Sequence, residues 1–306
     1  MTVAFITHPE CLLHEMGEGH PERPERLGAI EDKLIATRLE FLVSRAEAPQ
    51  ATREQLLRVH DVAYLNTLDR IAPHSGLVQI DPDTAMNPHT LPAALRAAGA
   101  AVLATDLVMA GQAKAAFCSI RPPGHHAERG RAMGFCFFNN VAIAAAHALE
   151  EHGLGRVAIA DFDVHHGNGT EDIFRDEPRL LMVSTFQHPF YPEGGAGRSE
   201  RMVNVPLQAG SSGKEFRKAV TEEWLPALER FRPELIFISA GFDAHRDDGM
   251  AMLRLLEADY SWVTEQLRAV AVRHARGRIV SVLEGGYDLD VLGRCFAAHL
   301  QALCAD

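Results

Sequence analysis

Asp161, Asp163 and His165 stand at alternate positions at the end of an apolar run, and nothing else in the chain restricts it so tightly. The run 157–160 (Val-Ala-Ile-Ala) reads as a buried strand of a parallel sheet, and Gly167-Asn168-Gly169 marks the turn that closes it. Alternate side chains of a strand share one face. The spacing therefore predicts these three polar groups on one side, with Phe162 and Val164 on the other. Burying two carboxylates and an imidazole is very costly unless something offsets their desolvation. A divalent metal does so. Carboxylate oxygen and imidazole nitrogen suit zinc, and a catalytic zinc takes three protein ligands and keeps one position for water. His166 falls on the opposite face and is expected to pack, not to ligate.

Composition narrows the partners. With 306 residues, 47% hydrophobic and 23% charged, the chain reads as one α/β domain over 1–306 with a sizeable core. A net charge of −11 argues against a nucleic-acid surface, yet allows steering of a basic substrate such as a polyamine or a lysine-rich peptide. Cys11, Cys118, Cys136, Cys295 and Cys304 are odd in number and form no C-x-x-C pair, which reads as reduced thiols of a cytoplasmic protein. Residues 1–8 lack the basic and apolar regions of a signal peptide. No run is expected to reach the ~18 apolar residues of a membrane span. The expectation is a cytoplasmic protein without nucleic-acid or membrane partners, with homo-oligomerisation left open.

Along the chain, strands are predicted at 3–7, 115–120, 180–186, 235–240 and 278–283 besides the focal one. They alternate with helices starting near Glu25 and over 54–72, 93–110, 139–151, 214–231, 257–275 and 288–303. This alternation implies an α/β fold, an open parallel sheet with helices on both faces, and ligands bind such sheets at the carboxyl ends of the strands. Trp224 and Trp262 are expected in the core. The glycine-rich 194–197 stretch lacks the context of a phosphate cradle and reads as a flexible surface loop.

The unusual residues collect where that rule places a site. His125 and His126 follow the 115–120 strand, Ser184 and Thr185 lie in the 180–186 strand, Asp243 follows 235–240, and Glu284-Gly285-Gly286-Tyr287 follows 278–283. Asp163, His165 and Asp243 are read as metal ligands. Two adjacent imidazoles beside an activated water can act as general base and acid, each needing an orienting partner, for which Asp161 and Asn168 are the candidates. Tyr287, after two glycines, can donate to a developing oxyanion.

The segments 121–127 (RPPGHHA), 133–140 (MGFCFFNN), 161–170 (DFDVHHGNGT), 239–245 (SAGFDAH) and 283–288 (LEGGYD) together resemble the zinc-dependent histone deacetylase and acetylpolyamine amidohydrolase family. The variant is similar to the bacterial, class II-like amidohydrolases, and the likeness runs from His14 to the last helix. The resemblance implies an arginase-like fold and hydrolysis of an acetyl amide on a lysine side chain or a related acetylated amine. It places zinc on Asp163, His165 and Asp243, pairs His125 with Asp161 and His126 with Asn168, and gives Tyr287 the acyl carbonyl. Phe135, beside Gly134, and one of Phe190 or Tyr191 would line a tunnel, with Met250 near its mouth. A potassium ion is implied at Asp161, Asp163, His165, Ser184 and Thr185, a product exit at Arg26, and binding of hydroxamate-type inhibitors.

Two departures and two rivals belong beside this reading. Acetylpolyamine-specific members carry a glutamate near the tunnel mouth where this chain has Met250, although Asp81, Asp83, Asp247 and Asp248 are alternative candidates for the rim. The chain is also short for eukaryotic relatives. Ureohydrolases share the fold with two manganese ions, and Asp243-Ala244-His245-Arg246-Asp247 loosely resembles their ligands, but they have no evident use for tandem histidines. A non-catalytic acyl-lysine binder would have lost a ligand, a catalytic histidine or the tyrosine, and none is lost here.

Overall fold

Short apolar runs become strands buried on both faces, and these set the architecture. The computed structural model describes residues 2–194 and 197–305, so Gly195 and Ala196 of the glycine-rich loop lie outside the described residues. In chain order the strands are β1 (Val3–Thr7), β2 (Val43–Glu47), β3 (Val78–Gln79), β4 (Ala85–Met86), β5 (Ala115–Cys118), β6 (Val157–Asp161), β7 (Leu180–Gln187), β8 (Met202–Leu207), β9 (Leu235–Ala240) and β10 (Ile279–Leu283). The α-helices are α1 (Glu25–Ala36), α2 (Arg53–Leu57), α3 (Val62–Ile71), α4 (Thr90–Met109), α5 (Asn140–Glu150), α6 (Asn168–Phe174), α7 (Gly213–Ala219), α8 (Leu225–Phe231), α9 (Glu257–His274) and α10 (Leu289–Cys304).

Eight strands form one parallel sheet in the order β2-β1-β5-β10-β9-β6-β7-β8. The chain builds one edge first, crosses to β6, builds the other edge, and returns to fill the centre with β9 and β10. Helices α4 and α5 pack together and against β1, β5, β6, β9 and β10, while α1, α10 and α9 pack as a second layer. The four central strands β5, β10, β9 and β6 thus end side by side.

Several expectations change. The single helix over 54–72 is two, because Asp61 donates its N–H to Arg129 O while His60 bridges Glu128 O and the Asn139 N–H. Edge strands β2 and β8, the small β3–β4 hairpin and α6 carry weaker patterns and were not anticipated. The helix over 214–231 forms, with a π turn at Val220–Trp224 joining α7 to α8. Trp224 is fully buried, whereas Trp262 is only partly so, under the Arg217 guanidinium. The expectation that no segment reaches membrane-spanning length fails on composition: α4 is long and apolar enough. Its Ala94, Ala97, Ala98 and Ala101 are buried within the fold, small side chains allowing close packing.

Two buried histidines tie the helices to the sheet. His299 of α10 sits between Thr264 (2.6 Å) and Ser281 (2.8 Å), and the Thr264 hydroxyl donates to Tyr260 O. Nδ1 of His299 therefore carries the hydrogen and Nε2 accepts from Ser281. Burial pushes His299 from 6.5 down to about 3 and His60 from 6.5 down to about 4. Both rings are neutral when folded and take a proton more readily when unfolded. Their stabilisation is full above pH 6.5 and drains away as pH falls toward the folded values, at about 1.4 kcal/mol per pH unit for each ring. Urea unfolding curves at pH 7 and pH 5 are expected to show this loss, and identical free energies at both would contradict it.

Candidate active site

The site begins where β6 ends. The strand stops at Asp161, so Asp163 and His165 are not placed by strand alternation as expected. Each aspartate instead accepts the N–H two residues on: Asp161 Oδ1 from Asp163 (3.1 Å) and Asp163 Oδ1 from His165 (2.9 Å). These local turns break the strand and send Asp161 one way and Asp163 and His165 another.

Asp243, from the loop after β9, meets the latter pair. One donor atom from each of Asp163, His165 and Asp243 lies within 4.8 Å of the other two, and all three residues are buried. His165 Nδ1 stands 3.0 Å from Asp163 Oδ1 and 3.3 Å from Asp243 Oδ2. Asp243 Oδ2 is buried without a hydrogen-bond partner. Burial and the charge of Asp163 push the Asp243 carboxyl up to about 6. Crowded carboxylates, an orphaned oxygen and an inward-facing imidazole nitrogen fit a divalent cation. Gly285 leaves room for the two carboxylates: a Cβ there would lie 2.1 Å from Asp243 Oδ2 and 2.6 Å from Asp163 Oδ2.

His125 and His126 follow β5 on a turn held from the neighbouring strand. Glu284, fully buried after β10, accepts the N–H of Gly124 (2.7 Å) and of His125 (3.1 Å), and takes the Ser239 hydroxyl at 3.2 Å. His125 Nδ1 reaches Asp161 Oδ2 at 3.0 Å, and His126 Nδ1 reaches Asn168 Oδ1 at 2.8 Å. Asn168 Nδ2 donates to Glu128 at 2.8 Å, which turns its oxygen to His126 and fixes the hydrogen on His126 Nδ1. Both pairings read from the sequence form. Burial disfavours charge on both rings, but Asp163 and Asp161 outweigh it and raise His125 to about 10. His126 has an uncharged partner, and burial with the neighbouring His125 and His165 holds it well below the usual range.

Aromatic rings wall the site. Phe190 stacks on His165 (5.4 Å), Tyr191 meets His126 edge-on (5.3 Å), and Phe135 meets Tyr287 edge-on (5.8 Å), so Phe190 and Tyr191 both take part. Gly134 packs under His126, where a Cβ would come within 2.4 Å of the ring. Arg26 is fully buried: its three nitrogens donate to Gly286 O, Glu284 O and Glu22, and its guanidinium lies 4.8 Å from the Tyr287 ring centre. It holds the Tyr287 loop in place. Ser184 and Thr185 are buried in β7, Ser184 in register with Asp161 and its hydroxyl unpartnered.

Other expectations sort out by geometry. Asp248 is not a rim carboxylate but is buried, its oxygens taken by backbone N–H groups. Asp247 is exposed beside Arg246 and Arg294, so neither joins a second metal. Met250 is half-buried, with its N–H on Asp248. Asp81 and Asp83 line a groove of about 640 Å³ with Tyr191. His166 packs away from the ligands and bonds Glu171. A second Asp–His–His group is formed by Asp106 of α4, His147 of α5 and His152 in the turn after α5. Arg58 can only donate to His147 Nδ1 (3.0 Å), so His147 Nε2 carries a hydrogen and gives it to Asp106 (2.8 Å), which satisfies that group as it stands. Glu128 was not read from the sequence as part of the site, Asp248 was read only as a rim carboxylate, and Glu284 was named in its strand-end cluster without a role. A glutamate within a strand-end motif was the only available signal.

Fold and site together define a metal-dependent hydrolase with an arginase-like sheet. Residues 20–303 match the histone deacetylase domain, and the chain belongs to that family. It is 38% identical over 293 residues to the histone deacetylase-like amidohydrolase of Pseudomonas aeruginosa, covering 93% of this chain and 77% of the relative. It is 38% identical over 300 residues to a probable deacetylase of Archaeoglobus fulgidus, covering 95% and 82%. The crystal structure of the HDA15 HD domain superposes with a TM-score of 0.92 at 32% identity, covering 99% of this chain and 88% of that one. The chain is a hydrolytic deacetylase. Gly285→Ala is expected to leave a folded protein whose bound divalent metal, by elemental analysis, falls from about one ion per chain toward none. Unchanged metal content would count against this ligand set.

Proposed function

We propose that the protein is a zinc-dependent deacetylase that removes an acetyl or related acyl group from lysine side chains of peptides. The observation that carries this reading is the convergence of three buried ligands, two separately oriented imidazoles and Tyr287 at the ends of four adjacent strands. A cation on Asp163, His165 and Asp243 would supply Lewis-acid polarisation of the acyl carbonyl and make water acidic enough to attack near neutral pH. His126, neutral with Nε2 free, takes the proton of the attacking water. His125, whose Nδ1 is held by Asp161, delivers a proton to the departing amine. The Tyr287 hydroxyl donates to the oxygen of the acyl group as charge builds there. Phe135, Phe190 and Tyr191 suit the apolar stem of an acyl-lysine. Asp161, Asp163, His165, Ser184 and Thr185 would hold a potassium ion, in keeping with the unpartnered Ser184 hydroxyl. The free, mostly buried thiols agree with a reducing, cytoplasmic setting.

A second reading, an acetylated polyamine as substrate, is favoured by Asp81 and Asp83 beside Tyr191, where a distal ammonium could sit. Turnover of a fluorogenic acetyl-lysine peptide and of an acetylpolyamine, measured side by side, separates the two. Peptide cleavage abolished by a chelator and restored by zinc is expected, and preference for the polyamine would select the second reading. His126→Ala is expected to lower kcat by about 10²–10⁴. A rate like that of the wild type would remove His126 from the mechanism.

A further inference from the structure

Tyr287 is placed by its backbone more than by its side chain. Its ring has Arg26 on one side and Phe135 edge-on, and the loop before it is held at Gly285, whose N–H donates to Asp163 Oδ2 (2.8 Å) and whose carbonyl accepts the Phe242 N–H (3.0 Å), and at Gly286, whose carbonyl accepts from Arg26 Nε (2.6 Å). The contact on Tyr287 itself comes from another strand end. Asp248 lies between exposed Asp247 and Gly249, yet its own side chain is turned inward and buried. Its Oδ2 accepts the N–H of Tyr287 at 2.7 Å and of Asp288 at 3.1 Å, while Oδ1 accepts that of Met250 at 2.9 Å.

No cation pairs with this carboxylate among the described residues; backbone N–H groups and the first turn of α10 hold its charge. Besides the Phe242 N–H on Gly285 O, Asp248 therefore ties the segment after β9, which carries Asp243 and Met250, to the segment after β10, and does so at Tyr287 itself. A surface turn does not require a buried charge to close it. A tyrosine that must stand at a fixed distance from the ligand cluster does.

We propose that Asp248 is a positioning residue that sets the Tyr287 hydroxyl over the ligand cluster and couples it to the Met250 segment. This rests on the reading of Tyr287 as the donor to the acyl oxygen. Loss of one such donor costs about 10²–10³ in kcat, and a misplacement of about 1 Å can cost about 10². Asp248→Ala leaves the Tyr287 and Asp288 N–H groups without their acceptor and lets the tyrosine drift.

The test is a double-mutant cycle. Asp248→Ala, Tyr287→Phe and the double variant are assayed for kcat and KM on an acetyl-lysine peptide, with bound metal and thermal unfolding recorded for each. Asp248→Ala is expected to lower kcat about 100-fold with little change in KM or metal content, and to cost less than about 3-fold when Tyr287 is already Phe, since the donor it positions is then gone. Equal losses in both backgrounds, or no loss at all, would overturn the proposal. Should Asp248→Ala not fold, Asp248→Asn carries the same cycle, because its amide cannot accept on both sides. Wild-type kcat in Tyr287→Phe would instead remove the reading of Tyr287 on which the proposal rests.

Discussion

Asp161, Asp163, Asp243 and Glu284 are carboxylates buried together at the ends of adjacent strands, and the site is built around the cost of keeping them there. Isolated charges in such a place would neutralise or unfold the region. Backbone N–H groups meet part of the demand: those of Asp163, His165, Gly285, Val164, Gly124 and His125 all end on these oxygens. The Asp243 oxygen left over, facing His165, is what a cation would complete. The same bonds that solvate the carboxylates also shape the loops, so the electrostatics of the candidate metal site and the conformation of the turns around it are one problem.

The segment 284–288 shows how closely the parts are joined. Glu284 holds the histidine turn, Gly285 leaves room for the ligands and donates to Asp163, Gly286 O rests on Arg26, and Tyr287 is held by Asp248. Behind it, fully buried Glu22 takes both Arg26 and Arg121, with His14 at 3.4 Å. Replacing one partner of such a cluster strands the others in a dry interior. That makes Glu22 and Arg26, at the entry to α1, part of the site's foundation; a surface ion pair of little weight would not be.

Much of this was legible in the chain. Central strands buried on both faces leave continuous apolar runs, so β9 and β10 were found almost to the residue and β6 at its start, though not at its end. Edge strands β2 and β8 expose one side and carry no such signal, and α6 begins at a glycine turn that reads as an ending. The cluster of Asp163, His165 and Asp243 was legible as a candidate metal site because charge in an apolar context calls for an explanation. The roles of Glu284, Asp248 and Glu128 were not, since a carboxylate that serves backbone N–H groups, as in the first two, or a side-chain amide, as in the third, looks in sequence like any surface acid.

By itself the sequence determined a parallel α/β sheet and the set of polar residues at its strand ends, and it suggested their reading as a candidate metal site beside paired imidazoles and a tyrosine. Those follow from local period and from the expense of burying charge. Only the tertiary structure decided which strand ends are neighbours, because the order β5-β10-β9-β6 depends on a crossover and a return that no local pattern records. It also decided that Asp161 turns to His125 while Asp163 turns to the ligands, and that Asp248 faces inward. Each of these directions is set by a hydrogen bond to a residue distant in the chain or by a local turn that overrides strand alternation.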